Sequence, residues 1–389
     1  MPAATNEALV NAWLEPLLAE VPGASLFDAH THIGFNDPDG ARLSGEQLIE
    51  ILAALDARGV VFPMHEPDGY REANDLILSD AADSEGRLVP FCRLNPNDDA
   101  VAEASRCIEL GARGIKLHPR SDDFALDSPE SREIFALAHQ LRLPVLVHAG
   151  RGIPALGEHT LELSTEFPKA PIILAHAAVT DLSWIWRHLD AHPNVFIDTS
   201  WWVPTDLMIL FSHVPPGRIL FASDVPYGTP ALNAILTLRC ALQAGLGVEQ
   251  IRAVCGAQLE RLLAGDEPLD LGPSPGASQV PSDLLVERVS LYLMAGLARL
   301  IVGAPAEDVI GLARLACKVD DDAPQATAFQ TIGALIDRQV QAFAEVTAED
   351  LATPSTQRLS MLAPLLLGAA LAATPSVPAP AEAPAAQSG

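Results

Sequence analysis

Short apolar runs alternate with amphipathic segments over the first two-thirds of the chain. Eight runs have the length and apolar content of buried strands: Leu26–Ile33 (LFDAHTHI), Val60–Met64 (VVFPM), Leu88–Leu94 (LVPFCRL), Gly114–His118 (GIKLH), Val145–His148 (VLVH), Ile172–His176 (IILAH), Val195–Thr199 (VFIDT) and Ile219–Asp224 (ILFASD). Between them lie segments with helical spacing, such as LSGEQLIEILAALDARG, DDAVAEASRCIELGARG and SPESREIFALAHQLRLP. Strands each followed by a helix imply parallel βαβ units. Eight units over roughly 240 residues predict an α/β fold, a (β/α)8 TIM barrel. An open doubly wound sheet is the competitor; eight strands in one series and no GxGxxG argue against it.

The flanks read differently. Residues 1–24 predict one leading helix, residues 25–265 the barrel, and residues 266–281 (DEPLDLGPSPGASQVP) a turn-rich linker. Residues 282–372 show helical periodicity alone, so an additional C-terminal all-α region is expected. Its most apolar stretch, MLAPLLLGAALAATP from Met361, contains Pro364 and is short for a membrane span, which predicts a packed terminal helix. Residues 373–389, rich in Pro and Ala, are expected to be disordered.

Composition narrows the function classes. Of 389 residues 49% are hydrophobic and 19% charged, as in a folded globular protein, and the net charge of −26 repels phosphate backbones and anionic membranes. Nucleic acid and lipid surfaces are therefore not expected partners. A small anionic substrate is not excluded, because local charge in a pocket can oppose the global sign. The five cysteines are scattered without a CxxC, which argues against a zinc finger or a disulfide framework. Reduced thiols and an N-terminus without a secretory pattern predict a cytoplasmic protein.

In a barrel the strand C-termini surround one mouth, where the chemistry sits. Polar residues fall on those ends: His30 and His32 on the first strand, Lys116 and His118 on the fourth, His148 on the fifth, His176 on the sixth and Asp224 on the eighth. Strand periodicity points His30 and His32 into the mouth together, with Asp28 one layer below on the same face. One histidine ending a buried strand is more often a packed core residue than a ligand. Imidazoles on three strands with a carboxylate on a fourth instead suit a divalent ion, zinc first and manganese second. Asp28 either holds a ligand imidazole in its tautomer or caps the strand. His139, His188 and His192, in helical or connecting segments, and His159 and His213, in loops, read as surface or packing residues. Loop residues expected near the pocket are His65 and Glu66, Arg120, Arg151 as a carboxylate binder, and the pair Trp201 and Trp202 as an apolar wall.

In the motifs DAHTHIG, GIKLHP, LVHAG, LAHA and FASDVPYG, the chain resembles the amidohydrolase superfamily, specifically its amidohydrolase-2 branch of metal-dependent TIM barrels, over about residues 25–265. The resemblance implies that His30 and His32 are metal ligands with His148 a third, and that Asp224 binds the metal and orients the water in mononuclear members. His176 is then a catalytic imidazole, a residue supporting the ligands, or a ligand of a second metal. Lys116, carboxylated, would bridge two metals; unmodified, it would bind a substrate carboxylate, and His118 could contact metal or substrate in its place. One departure is Gln258, in CGAQLERLLAG, where members commonly carry an asparagine; a change in helix packing is expected there.

The function implied is a metal-dependent hydrolase of a small amide, ester or lactone, with Asp224 or His176 moving the proton of a metal-activated water. The alternative keeps fold and metal but performs non-oxidative decarboxylation of an aromatic or unsaturated acid. A third reading is a non-catalytic barrel whose C-terminal helices form the working part. Those helices are also the expected surface for a homo-oligomer. A TatD-like nuclease is disfavoured by the acidic charge.

Overall fold

Parallel strands covered on both faces must be apolar throughout, and each of the eight apolar runs contains strand. The structure is a computed structural model that describes residues 2–277, 283–344 and 359–380. Its strands are β1 (Phe27–Ile33), β2 (Arg58–Pro63), β3 (Leu88–Pro90), β4 (Cys92–Leu94), β5 (Ile115–Leu117), β6 (Val145–Val147), β7 (Ile172–Leu174), β8 (Val195–Asp198) and β9 (Ile219–Leu220). All pairings between them are parallel and sequential. Several strands end before the polar residue that closes the run, so His118, His148 and Asp224 stand on the loops at the mouth, and His176 opens a short 3-10 turn there.

The third run divides into β3 and β4 around Phe91 but serves as one stave. Phe91 N–H donates to Val61 O of β2 at 2.9 Å, and Cys92 N–H turns to Gly114 O beside β5 at 3.1 Å. The barrel closes between β1 and the segment after β9. Ala29 N–H donates to Phe221 O, Asp224 N–H to His30 O and His32 N–H to Val225 O, all at 2.8–2.9 Å. Phe27, Ala29, Val60, Phe62, Phe91, Leu146, Ile173, Phe196 and Leu220 fill the interior.

Helices α2 (Gly45–Ala53), α3 (Arg71–Asp83), α4 (Ala100–Glu109), α5 (Pro129–Leu141), α6 (Leu156–Glu166), α7 (Leu182–Ile185), α8 (Pro204–His213) and α9 (Pro230–Gln243) cover the staves, after a leading α1 (Pro2–Ala19). Ser44 and Gln47 form a capping box that starts α2, and Ser128 with Pro129 starts α5. After α10 (Val248–Arg252) one π-helical turn leads into α11 (Gln258–Ala264), whose Leu259 and Leu262 plug the barrel floor. Gln258 clamps that region, donating to Gly217 O at 2.7 Å and accepting from Leu269 N–H at 2.9 Å, a packing role remote from the mouth.

The C-terminal region is helical: α12 (Leu284–Ile301), α13 (Glu307–Ala316), α14 (Ala326–Ala344) and α15 (Ala363–Ala373). A helix apolar all round is a buried helix. Residues Ala363 to Ala372 of α15 are all buried, between α12 and α14 on one side and α1, α8 and α9 of the barrel on the other. Among the described residues no helix is long and apolar enough to cross a membrane. The Pro/Ala-rich stretch expected to be disordered begins as packed chain. Arg239 of α9, 1% exposed, donates to Thr374 Oγ1 and to the carbonyls of Thr374, Val377 and Pro378. A buried guanidinium surrounded by acceptors holds that backbone in place, whatever its composition. Residues 381–389 lie outside the described residues.

Candidate metal centre

The site starts from an irregularity in β1. Phe27 pairs with Arg58 and Asp28 with Gly59, but Thr31 pairs with Val61, so β1 spends one residue more than β2. A bulge of this kind re-aims side chains. Phe27 and Ala29 face the interior, and beyond the bulge His30 and His32 do as well, both against the ring of Phe62. Asp28 therefore does not share their face, contrary to simple strand alternation. Its Oδ1 accepts from His30 N–H at 3.0 Å and Ser223 N–H at 2.9 Å, tying β1 to the closing segment. The Ser223 side chain bonds Asp28 as well, and among the described residues no imidazole does; burial pushes its pKa up to about 7.

The residue that holds an imidazole is Asp198, at the end of β8. His30 Nδ1–H donates to Asp198 Oδ2 at 2.9 Å. The other carboxylate oxygen of Asp198 accepts from His176 N–H at 2.9 Å, Ser200 N–H at 2.9 Å and Ser200 Oγ–H. The run VFIDT carried this aspartate at a strand end, as FASD carries Asp224, and the position was the available signal. Burial works to raise the pKa of Asp198, but the neighbouring His30 holds it below the usual range. Arg93, at the end of the third stave, was also missed. It is buried, lines the cleft and donates to Ser121 Oγ at 2.8 Å and to Asp122 at 3.2 Å.

Three atoms converge above this layer. His30 Nε2 and His32 Nε2 are 3.1 Å apart, and Asp224 Oδ1 lies 3.2 Å from the first and 3.1 Å from the second. Because His30 Nδ1 faces a carboxylate and His32 Nδ1 faces Pro63 O at 3.3 Å, both Nδ1 atoms carry the proton. In the neutral rings both Nε2 lone pairs then point at the same small space, beside a carboxylate oxygen. That donor set fits a cation. The charges pull both ways. Burial and Lys116 pull the pKa of His30 down, yet Asp224 and Asp198 outweigh them and raise it, so a cation at this point competes with a proton for His30 Nε2. Burial drives His32 down to about 3 and also lowers His118, His148 and His176. Asp224 stays ionised because His30 and His176 offset the push of burial.

Among the described residues, His30, His176 and Asp224 offer ligand atoms that all lie within 4.8 Å of one another, with His32 adjoining. His148, implied as the third ligand, is not in that group. Its Nδ1 lies 2.9 Å from His176 Nε2, its ring stacks on His118 at 3.8 Å, and its buried Nε2 has no hydrogen-bond partner among the described residues. His176 Nδ1–H donates to Ser200 O at 2.9 Å. His176, Ala177, Ala178 and Asp224 all take positive φ, between 50° and 62°, so backbone strain is concentrated at the loops that present these groups.

Lys116 is fully buried, with Nζ 3.3 Å from His30 Nε2, and burial lowers its pKa to about 7. The cleft, about 600 Å³, is lined by these residues together with His118, His65, Arg93, Arg120, Arg151, Trp201 and Trp202. Arg151 is exposed and lies over the ring of Trp201 at 5.6 Å; Trp201 Nε1–H is fixed to Asp206 Oδ2 at 2.7 Å. Glu66 instead accepts from Asn36 at 2.8 Å. Of the histidines expected to be peripheral, none lines the cleft, though His159 and His213 lie in α6 and α8 rather than in loops.

The solved structures that share the fold include an uncharacterised TIM-barrel protein of Bordetella bronchiseptica (16% identity), 2,6-dihydroxybenzoate decarboxylase from Rhizobium (18%) and Metarhizium anisopliae IDCase (15%). Each matches 62% of this chain and 98–99% of its own, with a TM-score of 0.50. No curated protein matches the sequence. The model of the amidohydrolase-2 family, described as amidohydrolase, matches residues 27–257. That span contains every stave and all of the converging donors, and the chain belongs to the amidohydrolase family.

Proposed function

We propose that this chain is a metal-dependent hydrolase of a small carbonyl compound (an amide, ester or lactone) that carries a carboxylate. The observation that carries the reading is the convergence of two Nε2 atoms, from His30 and His32, on one oxygen of the ionised Asp224. His30, His32 and Asp224 would hold the ion, zinc or manganese, with His176 or His148 completing the set. When bound, a divalent ion supplies Lewis acidity that lowers the pKa of water and polarises a carbonyl oxygen.

The remaining work belongs to the side chains. Asp224 accepts the proton of the attacking water and returns it to the leaving group, because its carboxylate is kept ionised at the mouth. His176, held by Ser200 O and neutral, is the second group in reach of that proton. Asp198 fixes the tautomer of His30. Lys116, whose pKa burial lowers to about 7, binds the substrate carboxylate in its protonated form, or after carboxylation joins the ligand set. Arg151 and Arg120 line the cleft as further anion contacts, with His118 beside Lys116 and Trp201 as an apolar wall.

Decarboxylation is the second reading, favoured by the concentration of Lys116, Arg93, Arg120 and Arg151 in a cleft that also has Trp201 and Trp202 on its wall, a lining suited to an aromatic acid. The deciding experiment incubates the zinc- or manganese-loaded protein with lactones, amides and benzoic-type acids. Water-dependent cleavage supports the hydrolase; carbon dioxide release without it overturns that reading in favour of the second. A purified protein with no stoichiometric divalent ion, unchanged by His30→Ala with His32→Ala, would overturn both.

A further inference from the structure

The helices beyond the family match do not stand apart from the cleft. The match ends at residue 257, and the similar solved structures are matched almost in full by 62% of this chain. Yet Ile301, the last residue of α12, and Leu359 line the same cleft as His30 and Asp224. The cleft is graded. Its floor is charged and sealed, with Lys116 and His30 at 0–1% exposure, whereas Ile301, Leu359, Trp201 and Trp202 are half-buried. The support is continuous. Buried α15 packs on α12, which ends in Ile301, and on α8, which begins two residues after Trp202. Arg239 locks the chain after α15 to α9.

We infer that the C-terminal helical module builds the outer wall of the cleft, and that Ile301 and Leu359 determine specificity by contacting an apolar body of the substrate. The substrate class is then a carboxylic acid derivative whose charged head reaches the floor near Lys116 and whose apolar part extends to these two side chains. A cleft of about 600 Å³ accommodates a body larger than a single ring. The inference rests on the proposed carboxylate-bearing substrate and adds its apolar end.

Calorimetric binding of two probes, benzoate and biphenyl-4-carboxylate, to the zinc-loaded full chain tests it without requiring turnover. The longer acid is expected to bind at least tenfold more tightly. Ile301→Ala and Leu359→Ala should each weaken it about fivefold, the loss of a partly buried aliphatic contact, and leave benzoate within twofold. Ile301→Trp, which fills the wall instead of emptying it, should exclude biphenyl-4-carboxylate and keep benzoate, so loss of folding is told apart from loss of contact. Equal affinity of the unaltered chain for the two acids would overturn the inference, as would variants that move both acids together or neither. Benzoate affinity untouched by His30→Ala with His32→Ala would overturn the metal-site reading and leave the wall standing.

Discussion

The Nδ1 atom of His30 lies 2.9 Å from Oδ2 of Asp198, and both side chains are sealed from solvent. This contact, made across 168 residues of sequence, decides which nitrogen of His30 is free to face Asp224. An ionised carboxylate can only accept, so the proton sits on Nδ1 and the lone pair on Nε2.

Asp198→Asn should therefore weaken metal binding about 10- to 100-fold while the protein still folds, because the amide can present its NH2 to Nδ1 and reverse the tautomer. Competition against a chelator, read by elemental analysis, checks it. Asp28→Asn is the contrast. Asp28 is held by the backbone N–H groups of His30 and Ser223 and by the Ser223 side chain, and among the described residues it bonds no imidazole, so metal affinity should stay within a few-fold. Equal losses in the two variants would remove the distinction between them.

Much of the barrel was readable because parallel staves are buried on both faces, which makes each strand an apolar run. The order of polar strand ends then pointed to one mouth, and His30, His32 and Asp224 do meet there. What sequence periodicity hid was the bulge in β1: Asp28 to His32 alternates perfectly on paper, and nothing in DAHTH marks the extra residue. Asp198 was hidden for another reason. One aspartate ending an apolar run has no local signal, and its partners His30 and His176 are assembled only by barrel closure. The uniform apolarity of α15 foretold a packed helix but not its neighbours, and the guanidinium of Arg239 inside apolar α9 gave no hint of the backbone it clasps.

Arg239→Leu should destabilise the protein by about 2–4 kcal/mol, since the carbonyls of Thr374, Val377 and Pro378 lose a charged donor while buried. Urea unfolding gives the magnitude, and limited proteolysis should show cleavage near residue 375 in the variant before any in the barrel. Arg239→Lys should recover only part of the loss, because an ammonium cannot span the same acceptors.

Glu103 on α4 accepts from Arg106 Nε and Nη2 at 2.8 Å and from Asn74 Nδ2 at 3.0 Å, and Asn74 in turn binds the backbone of Arg93. Burial works against its ionised form, but these donors outweigh it and hold the pKa at about 2, below the ordinary 4.5. A depressed carboxylate pKa adds stability that is complete above the unfolded value and drains away as pH falls through the folded one. Glu103→Gln should therefore cost about 1–3 kcal/mol at pH 7. The gap between the two proteins should narrow steadily from pH 4.5 toward pH 2. Denaturant melts across that range check it; a gap independent of pH would show that the charge contributes nothing.

Two glycines should respond in opposite directions to the same substitution. Gly228 N–H donates to Asp224 O at 2.9 Å, and a Cβ there would sit 2.1 Å from Ser223 O, which is backbone and cannot swing aside. Gly228→Ala must displace the turn that presents Asp224. About 1–3 kcal/mol of stability should be lost with a measurable drop in metal affinity, because the carboxylate moves with its backbone. Gly311 lies within α13, where a Cβ would meet nothing within 4 Å. Gly311→Ala should raise stability by about 0.5–1 kcal/mol, through the smaller entropy loss of alanine in a helix, and leave metal affinity unchanged. Thermal melts with and without zinc separate the two effects. If Gly228→Ala binds zinc as tightly as the parent protein, Asp224 is not positioned by this turn.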